Sequence, residues 1–146
     1  MIVYVDGDAC PVKTEVTEEA LAAGAEVVFV QSYAHFSGAD APAGVAHVYV
    51  DTGREAADYK LMQLAGKGDI MVTQDYGLAS LALGKGCRVI HPTGFVYTPE
   101  TIDAMLEARH ASAAARRSGQ KTKGPKAFTD AEREAFRSAV RDLLNK

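Results

Sequence analysis

Four aspartates stand where carboxylates could work on a phosphate. Asp6 and Asp8 flank Gly7 directly after the apolar run 2–5, Asp75 follows the run 69–73 by two residues, and Asp58 lies in the segment between them. Carboxylates gathered in one place repel one another unless a cation neutralises them, and hard oxygen donors select Mg²⁺ or Mn²⁺ over softer metals. Mg²⁺ usually takes one or two protein carboxylates and keeps several waters, which leaves room for a substrate phosphate. A water bound to it becomes more acidic, and the water or the hydroxide it yields could attack phosphorus. The expected metal set is Asp6, Asp8, Asp58 and Asp75, with Asp6, Asp58 and Asp75 as the catalytic residues. Each also has an ordinary role: Asp6 or Asp8 as a turn residue beside Gly7, Asp75 as a helix cap before Tyr76, Asp58 as a solvated helix residue.

The elements that end in these residues decide whether they meet. Residues 2–5, 26–31, 45–50, 69–73 and 87–90 are short runs rich in β-branched side chains and read as strands. Between them the pattern predicts helices from Pro11 to about Ala23, from Thr52 to Gly66 and from Tyr76 to Leu83, with a long Gly- and Pro-containing loop over 32–44. Thr52 with Glu55 has the spacing of a capping box. This alternation predicts an α/β fold with a central parallel sheet of four or five strands in the order 3-2-1-4-5. In that order strands 1 and 4 meet where the strand sequence reverses, and ligands bind outside the carboxyl ends of strands at such a point. Asp6, Asp8 and Asp75 then face one crevice, with Asp58 descending towards it. After His91-Pro92 the pattern changes. Thr98-Pro99 opens a helix to about Ala115, a polar loop covers 118–126, and a Thr129/Glu132 capping box opens a last helix to about Leu144. The chain reads as one domain, 1–146, with an α/β core over 1–95 and a helical extension with a basic loop over 96–146.

Composition narrows the class. The chain has 146 residues, 47% hydrophobic and 24% charged, and no apolar run of membrane-spanning length, the profile of one globular domain. Cys10 and Cys87 form neither a disulfide framework nor a zinc-ligand spacing, and the first six residues carry no signal-peptide pattern, so a cytoplasmic setting is expected. Net charge is −3, but it divides unevenly: residues 1–108 hold six Lys and Arg against fifteen Asp and Glu, and 109–146 hold ten against four. Arg109, Arg116, Arg117, Lys121, Lys123 and Lys126 follow one another with no acid among them. An acidic body with a basic arm fits a metal-using site beside a segment that grips a polyanion, whereas the ordinary reading of such a run is a solvated connector. Ser32 and Thr73 are candidate substrate-side hydroxyls, and Thr73 could also hydrogen-bond a carboxylate. Cys10 is expected to be structural and His47 a packed histidine; His35, His91 and His110 show no ligand spacing. Neither a GxGxxG fingerprint nor a Walker A loop is present, so a nucleotide cofactor is not expected.

The segments VYVDGDACPVK, VYVDTGREAADYKL, GKGDIMVTQDYGLAS and KTKGPKAFTDAEREAF, in that order, resemble the YaiI/YqxD family of small bacterial proteins, over nearly the whole chain. That family is similar in turn to PIN-domain nucleases, metal-dependent ribonucleases with a central parallel sheet and an acidic constellation. The resemblance implies a PIN-like three-layer fold and an RNA substrate. It matches their first acid to Asp6, their helix acid to Asp58, and the acid of their TxD motif to Asp75 with Thr73 as its Thr. Their remaining acid has three candidates here, Asp8, Glu15 and Glu55.

Three functions follow as expectations. The first is a Mg²⁺- or Mn²⁺-dependent nuclease in which Arg116, Arg117, Lys121, Lys123 and Lys126 hold phosphates. The second is a haloacid-dehalogenase-type phosphatase, with Asp6 as nucleophile, Asp8 as acid/base, Ser32 as the small hydroxyl and Asp69 or Asp75 as the later acid. The third is a non-catalytic nucleic-acid-binding module. No membrane partner is expected, and both a single copy and a homodimer stay open. Replacing Arg116, Arg117, Lys121 and Lys123 with alanine should weaken RNA binding similarly for all sequences. Titrations at several salt concentrations should show the salt slope falling by roughly one unit per lost phosphate contact. An unchanged affinity and slope would make the run a solvated connector.

Overall fold

The computed structural model of the chain describes residues 1–8, 10–33, 41–51, 55–104, 107 and 128–146. Six strands form one sheet: β1 Ile2–Asp6, β2 Glu26–Ser32, β3 Val45–Val50, β4 Ile70–Val72, β5 Arg88–Ile90 and β6 Val96–Tyr97. The helices are α1 Lys13–Ala22, α2 Ala56–Leu64, α3 Tyr76–Gly84 and α4 Asp130–Leu144, and residues 99–104 are also helical. The sheet order is β3-β2-β1-β4-β5-β6, parallel throughout except for the β5–β6 pair.

Val5 pairs with Phe29 of β2 on one side and Val72 of β4 on the other, so β1 is central, as expected. Helices cover both faces of such a sheet, and its inner strands are apolar on both faces for that reason. Alternate residues of each strand enter opposite cores. Val3, Val5, Val27, Phe29, Ile70, Val72 and Ile90 pack beneath α1 and α4, whereas Tyr4, Val30, Met71 and Val89 pack with Ala57, Leu61, Leu78 and Ala82 of α2 and α3.

The sheet has six strands rather than the expected four or five. The turn after β5 is tight: Gly94 N–H donates to the His91 carbonyl (2.9 Å) and His91 N–H to the Phe95 carbonyl (2.8 Å), folding 96–97 back against β5. Gly94 has φ +95°, and a Cβ there would lie 2.8 Å from the Ala135 backbone, so the turn rests directly on α4. The sixth strand therefore falls where the helical extension was expected to begin. Helix starts also differ. α1 begins at Lys13, leaving Pro11 ahead of it, and α2 begins at Ala56 with Glu55 as an N-cap that makes no side-chain capping bond. Thr52 lies outside the described residues. The Thr129/Glu132 capping box is present, and Thr98 Oγ1 accepts from Thr101 N–H at 3.2 Å.

α4 lies along α1. Arg133, Arg137 and Arg141 recur every turn and meet Glu15 (3.1 Å), Glu18 (3.1 Å) and Glu19 (2.5 Å). The Arg141 guanidinium holds the Glu19 carboxyl below its usual range. The Glu18 and Glu19 pairs are exposed and contribute little each, whereas Glu15 is buried against Arg133. Phe136, Val140, Leu143 and Leu144, all buried in the α1-side core, supply the adhesion, and the Arg88 guanidinium donates to the Leu143 carbonyl at the end of α4. The helix expected to reach Ala115 is described at 99–104 and 107; Arg109, Arg116, Arg117, Lys121, Lys123 and Lys126 lie outside the described residues, as do His35 and His110. No helix among the described residues is long and apolar enough to cross a membrane.

Because α4 shares the core of the sheet, Phe136→Ala should destabilise the whole chain, by about 3–5 kcal/mol, in one cooperative urea transition. A separate early transition for α4 would show it to be an appendage.

Candidate active site

The parallel strands all point their carboxyl ends to one edge, and the strand order reverses between β1 and β4. Asp6 ends β1. Thr73 follows β4, is buried, and links the two strands: its hydroxyl donates to Asp6 Oδ2 (3.2 Å) and accepts from the Asp75 backbone N–H (3.0 Å). Thr73 is itself fixed through its backbone, since its N–H reaches the Ile90 carbonyl (3.2 Å) and its carbonyl accepts from the Tyr97 hydroxyl (3.3 Å). Of the two roles expected for Thr73, hydrogen-bonding a carboxylate is the one the geometry displays. Asp75 is the N-cap of α3, its Oδ1 accepting from the N–H groups of Gly77 (2.8 Å) and Leu78 (3.2 Å). The ordinary role foreseen for Asp75 is therefore real, and it leaves the carboxylate at the edge of the crevice.

Asp58 lies in the first turn of α2, nearer the helix start than expected because α2 begins only at Ala56. Burial, then the carboxylates of Asp75, Asp6 and Glu55, push its pKa up to about 6. Asp6 is raised too, first by burial and then by Asp8 and Asp75, against the lowering bond from Thr73. Acids from three separate elements are therefore within electrostatic reach: Asp75 and Asp6 bear on Asp58, and Asp75 on Asp6. Two recesses meet at Asp75. One, about 450 Å³, is lined by Asp6, Gln74, Asp75 and Tyr76; the other, about 570 Å³, runs between α2 and α3 past Glu55, Asp58, Tyr59 and Leu81.

The other candidates separate. Asp8 faces β2, where its Oδ1 accepts from the Ser32 N–H (2.8 Å) and lies 3.4 Å from the Ser32 hydroxyl. Of the three candidates for a further acid, Glu55 stands beside Asp58, Asp8 beside Asp6, and Glu15 is drawn away under α4 by Arg133. Asp69 lies at the opposite edge of the sheet, ahead of β4, where it accepts from the N–H groups of Ile2 (3.1 Å) and Gly66 (3.0 Å). Cys10 is half-buried, and burial raises its thiol to about 11. His47 is not packed inside: β3 is the edge strand, so its imidazole is exposed and stacks on Phe29 at 5.2 Å. Gln74 and Tyr76 line the recess and were missed from the sequence; their only signal is adjacency to Asp75.

Among the described residues no group of three or more His, Cys, Asp or Glu is gathered closely enough to hold a metal ion. Asp6 accepts from Thr73, Asp8 from Ser32 and Asp75 from the amides of α3. The donor chemistry nonetheless fits a hard divalent cation, which needs only one or two protein carboxylates and would relieve the repulsion at Asp58 and Asp6.

The raised Asp58 pKa has a stability consequence of definite sign. The folded state binds this proton more tightly than the unfolded chain, so the contribution is complete below the ordinary carboxylate range and is lost as pH rises through about 6. In metal-free buffer, Asp58→Asn should gain on the parent in melting temperature between about pH 4 and pH 7. A constant difference across that range would mean that Asp58 is unperturbed.

The profile of the YaiI/YqxD family, described as uncharacterized, matches residues 4–146. UPF0178 proteins of Bacillus cereus and of Bacillus thuringiensis subsp. konkukian are each 53% identical to this chain over 144 residues, covering 99% of both chains. One from Bacillus anthracis is 52% identical over the same length and share. No solved structure matches the chain. With all of the sheet but Ile2 and Val3, its acidic edge and α4 inside the matched span, this chain belongs to the YaiI/YqxD family.

Proposed function

We propose that the protein is a Mg²⁺- or Mn²⁺-dependent nuclease of PIN-like fold that hydrolyses phosphodiester bonds in RNA. The observation that carries this reading is the convergence of Asp6, Asp58 and Asp75, borne by β1, α2 and the α3 cap, at the strand-order reversal, where Asp75 bears on both Asp6 and Asp58. Carboxylates crowded at a ligand-binding edge destabilise a fold unless something bound there neutralises them. The helix-then-strand-then-acid order from Asp58 to Asp75 supports the PIN-like assignment.

Asp6 and Asp75 would hold the cation from either side of the reversal, with Asp58 and Glu55 completing the wall and Asp8 backing Asp6. A bound cation supplies an acidified water and neutralises the phosphate charge. Thr73 keeps Asp6 and Asp75 in register, and Gln74 and Tyr76 border the space a phosphodiester would enter. The basic run 109–126 would meet the flanking phosphates, an arrangement suited to a cytoplasmic RNA-binding enzyme. The phosphatase reading is weaker, because Asp69 is committed at the far edge and the Asp8 carboxylate already accepts from Ser32.

Asparagine keeps the shape of aspartate and caps helices about as well, so Asp75→Asn removes charge without removing the cap. Asp6→Asn and Asp75→Asn should each abolish calorimetric Mn²⁺ binding and RNA hydrolysis while leaving the metal-free melting temperature equal or higher. Asp75→Ala should instead lower it, by about 1 kcal/mol of stability. Metal binding unchanged in both Asn variants would sink the nuclease reading, and salt-sensitive RNA binding that ignores Mn²⁺ would leave a binding module.

A further inference from the structure

On the β3 side of the acidic edge the sheet carries a row of rings. Phe29 stacks on His47 (5.2 Å, 16° between planes), His47 on Tyr49 (6.2 Å, 13°) and Tyr49 on Tyr33 (5.9 Å, 23°). Phe29 is buried beneath α1 and anchors the row, whereas Tyr33 at its far end is 59% exposed. The register requires this line, since Phe29 pairs with His47 and Gln31 with Tyr49, and alternate residues of β2 and β3 share a face. Gln31 lies 3.5 Å from His47 through its amide nitrogen and accepts from the Lys13 ammonium at 3.4 Å.

The row ends in a cleft of about 390 Å³. Tyr33 and Tyr49 from the row line it together with Tyr59, Lys60 and Asp51. Tyr59 is 75% exposed and shares this lining with Tyr33, which is exposed as well, so the two rings open on one cleft. It follows Asp58 directly and lines both this cleft and the α2–α3 recess that holds Asp58 and Asp75. The cleft thus adjoins the recess of the acidic edge at one shared side chain.

We propose that this cleft is a nucleobase subsite for single-stranded nucleic acid, with a base stacking on the tyrosine rings and the strand passing Tyr59 to the acidic edge. Tyrosine faces stack on any unpaired base, and pairing of rings with cations is the general solution for gripping single strands. Lys60 supplies the cation; its ammonium makes a 3.4 Å bond to Gln63 on the exposed face of α2. Asp51, also in the lining, repels a phosphate, which favours seating the phosphate at Lys60. A duplex does not fit this chemistry, because its bases already stack on one another. The inference deepens the nuclease reading by naming the substrate as single-stranded.

The test is fluorescence anisotropy with labelled mixed-sequence single-stranded RNA, single-stranded DNA and duplex RNA, in EDTA at fixed salt, on the full chain. Tyr33→Ala and Tyr59→Ala should each weaken single-strand binding on the order of tenfold, with melting temperatures unchanged because both rings are exposed. Tyr33→Phe and Tyr59→Phe should bind as the parent does. The chain has no Trp, so quenching of tyrosine emission by added oligonucleotide gives a second readout of stacking. Parental affinity in both alanine variants, or equal affinity for duplex and single strand, would overturn the subsite. Asp6→Asn separates the two readings: it should retain tyrosine-dependent binding in EDTA. If the parent binds in this way but never cleaves with Mn²⁺, the subsite stands and the nuclease reading falls. If it cleaves with no dependence on either tyrosine, only the subsite falls.

Discussion

The hydroxyl of Thr73 is the contact on which the geometry of the acidic edge turns. It is buried between β1 and α3, donates to Asp6 and accepts from the Asp75 backbone, so one oxygen ties the acid that ends β1 to the acid that caps α3. A hydroxyl suits this place because it can donate and accept at once. The donated bond favours the ionised form of Asp6 and opposes the effects of burial, Asp8 and Asp75. The anchors of Thr73 to Ile90 and Tyr97 extend this constraint to β5 and β6, which gives the short sixth strand a part in holding the site.

The arrangement works against stability at one edge and has to be offset elsewhere. Domains are stable by only about 5–15 kcal/mol, and burial together with neighbouring carboxylates disfavours the charged forms of Asp58 and Asp6. The offset lies in a sheet whose central strands are buried on both faces and in α4, which returns from the far end of the chain to close the α1-side core. Arg133 bonds both Glu15 and the Pro11 carbonyl, and so fixes the start of α1 just beyond the segment that carries Asp6 and Asp8. The C-terminal helix therefore supports the acidic edge without reaching it.

Parallel strands also explain why acids and rings lie on the same rim. Every strand from β1 to β5 ends on one side, so Asp6, Ser32 and the residues after β3 and β4 emerge together. Tyr33 follows β2, Asp51 follows β3 and Thr73 follows β4. Aromatic wall and carboxylate crevice are thus two parts of one edge, joined at the start of α2 by the neighbours Asp58 and Tyr59.

The amino-acid sequence by itself determined the alternation of strands and helices, the central place of β1, the Thr129/Glu132 cap and the residues from which a site would be drawn. These are local properties: β-branched runs, capping spacings, and carboxylates directly after strands. It did not reveal β6, whose two residues form a strand only because Gly94 turns against α4, an element more than thirty residues away in the chain. Nor did it separate the acids from one another. Asp69 and Asp75 flank the same strand, yet parallel pairing sends one to each edge of the sheet, and Glu15 is lost to Arg133 across the α1–α4 contact. The aromatic row was equally hidden, because Phe29, His47, Tyr49 and Tyr33 become neighbours only through the β2–β3 register. Periodicity tells which face a side chain takes; which side chains share that face across strands is decided by pairing and burial over the whole sheet.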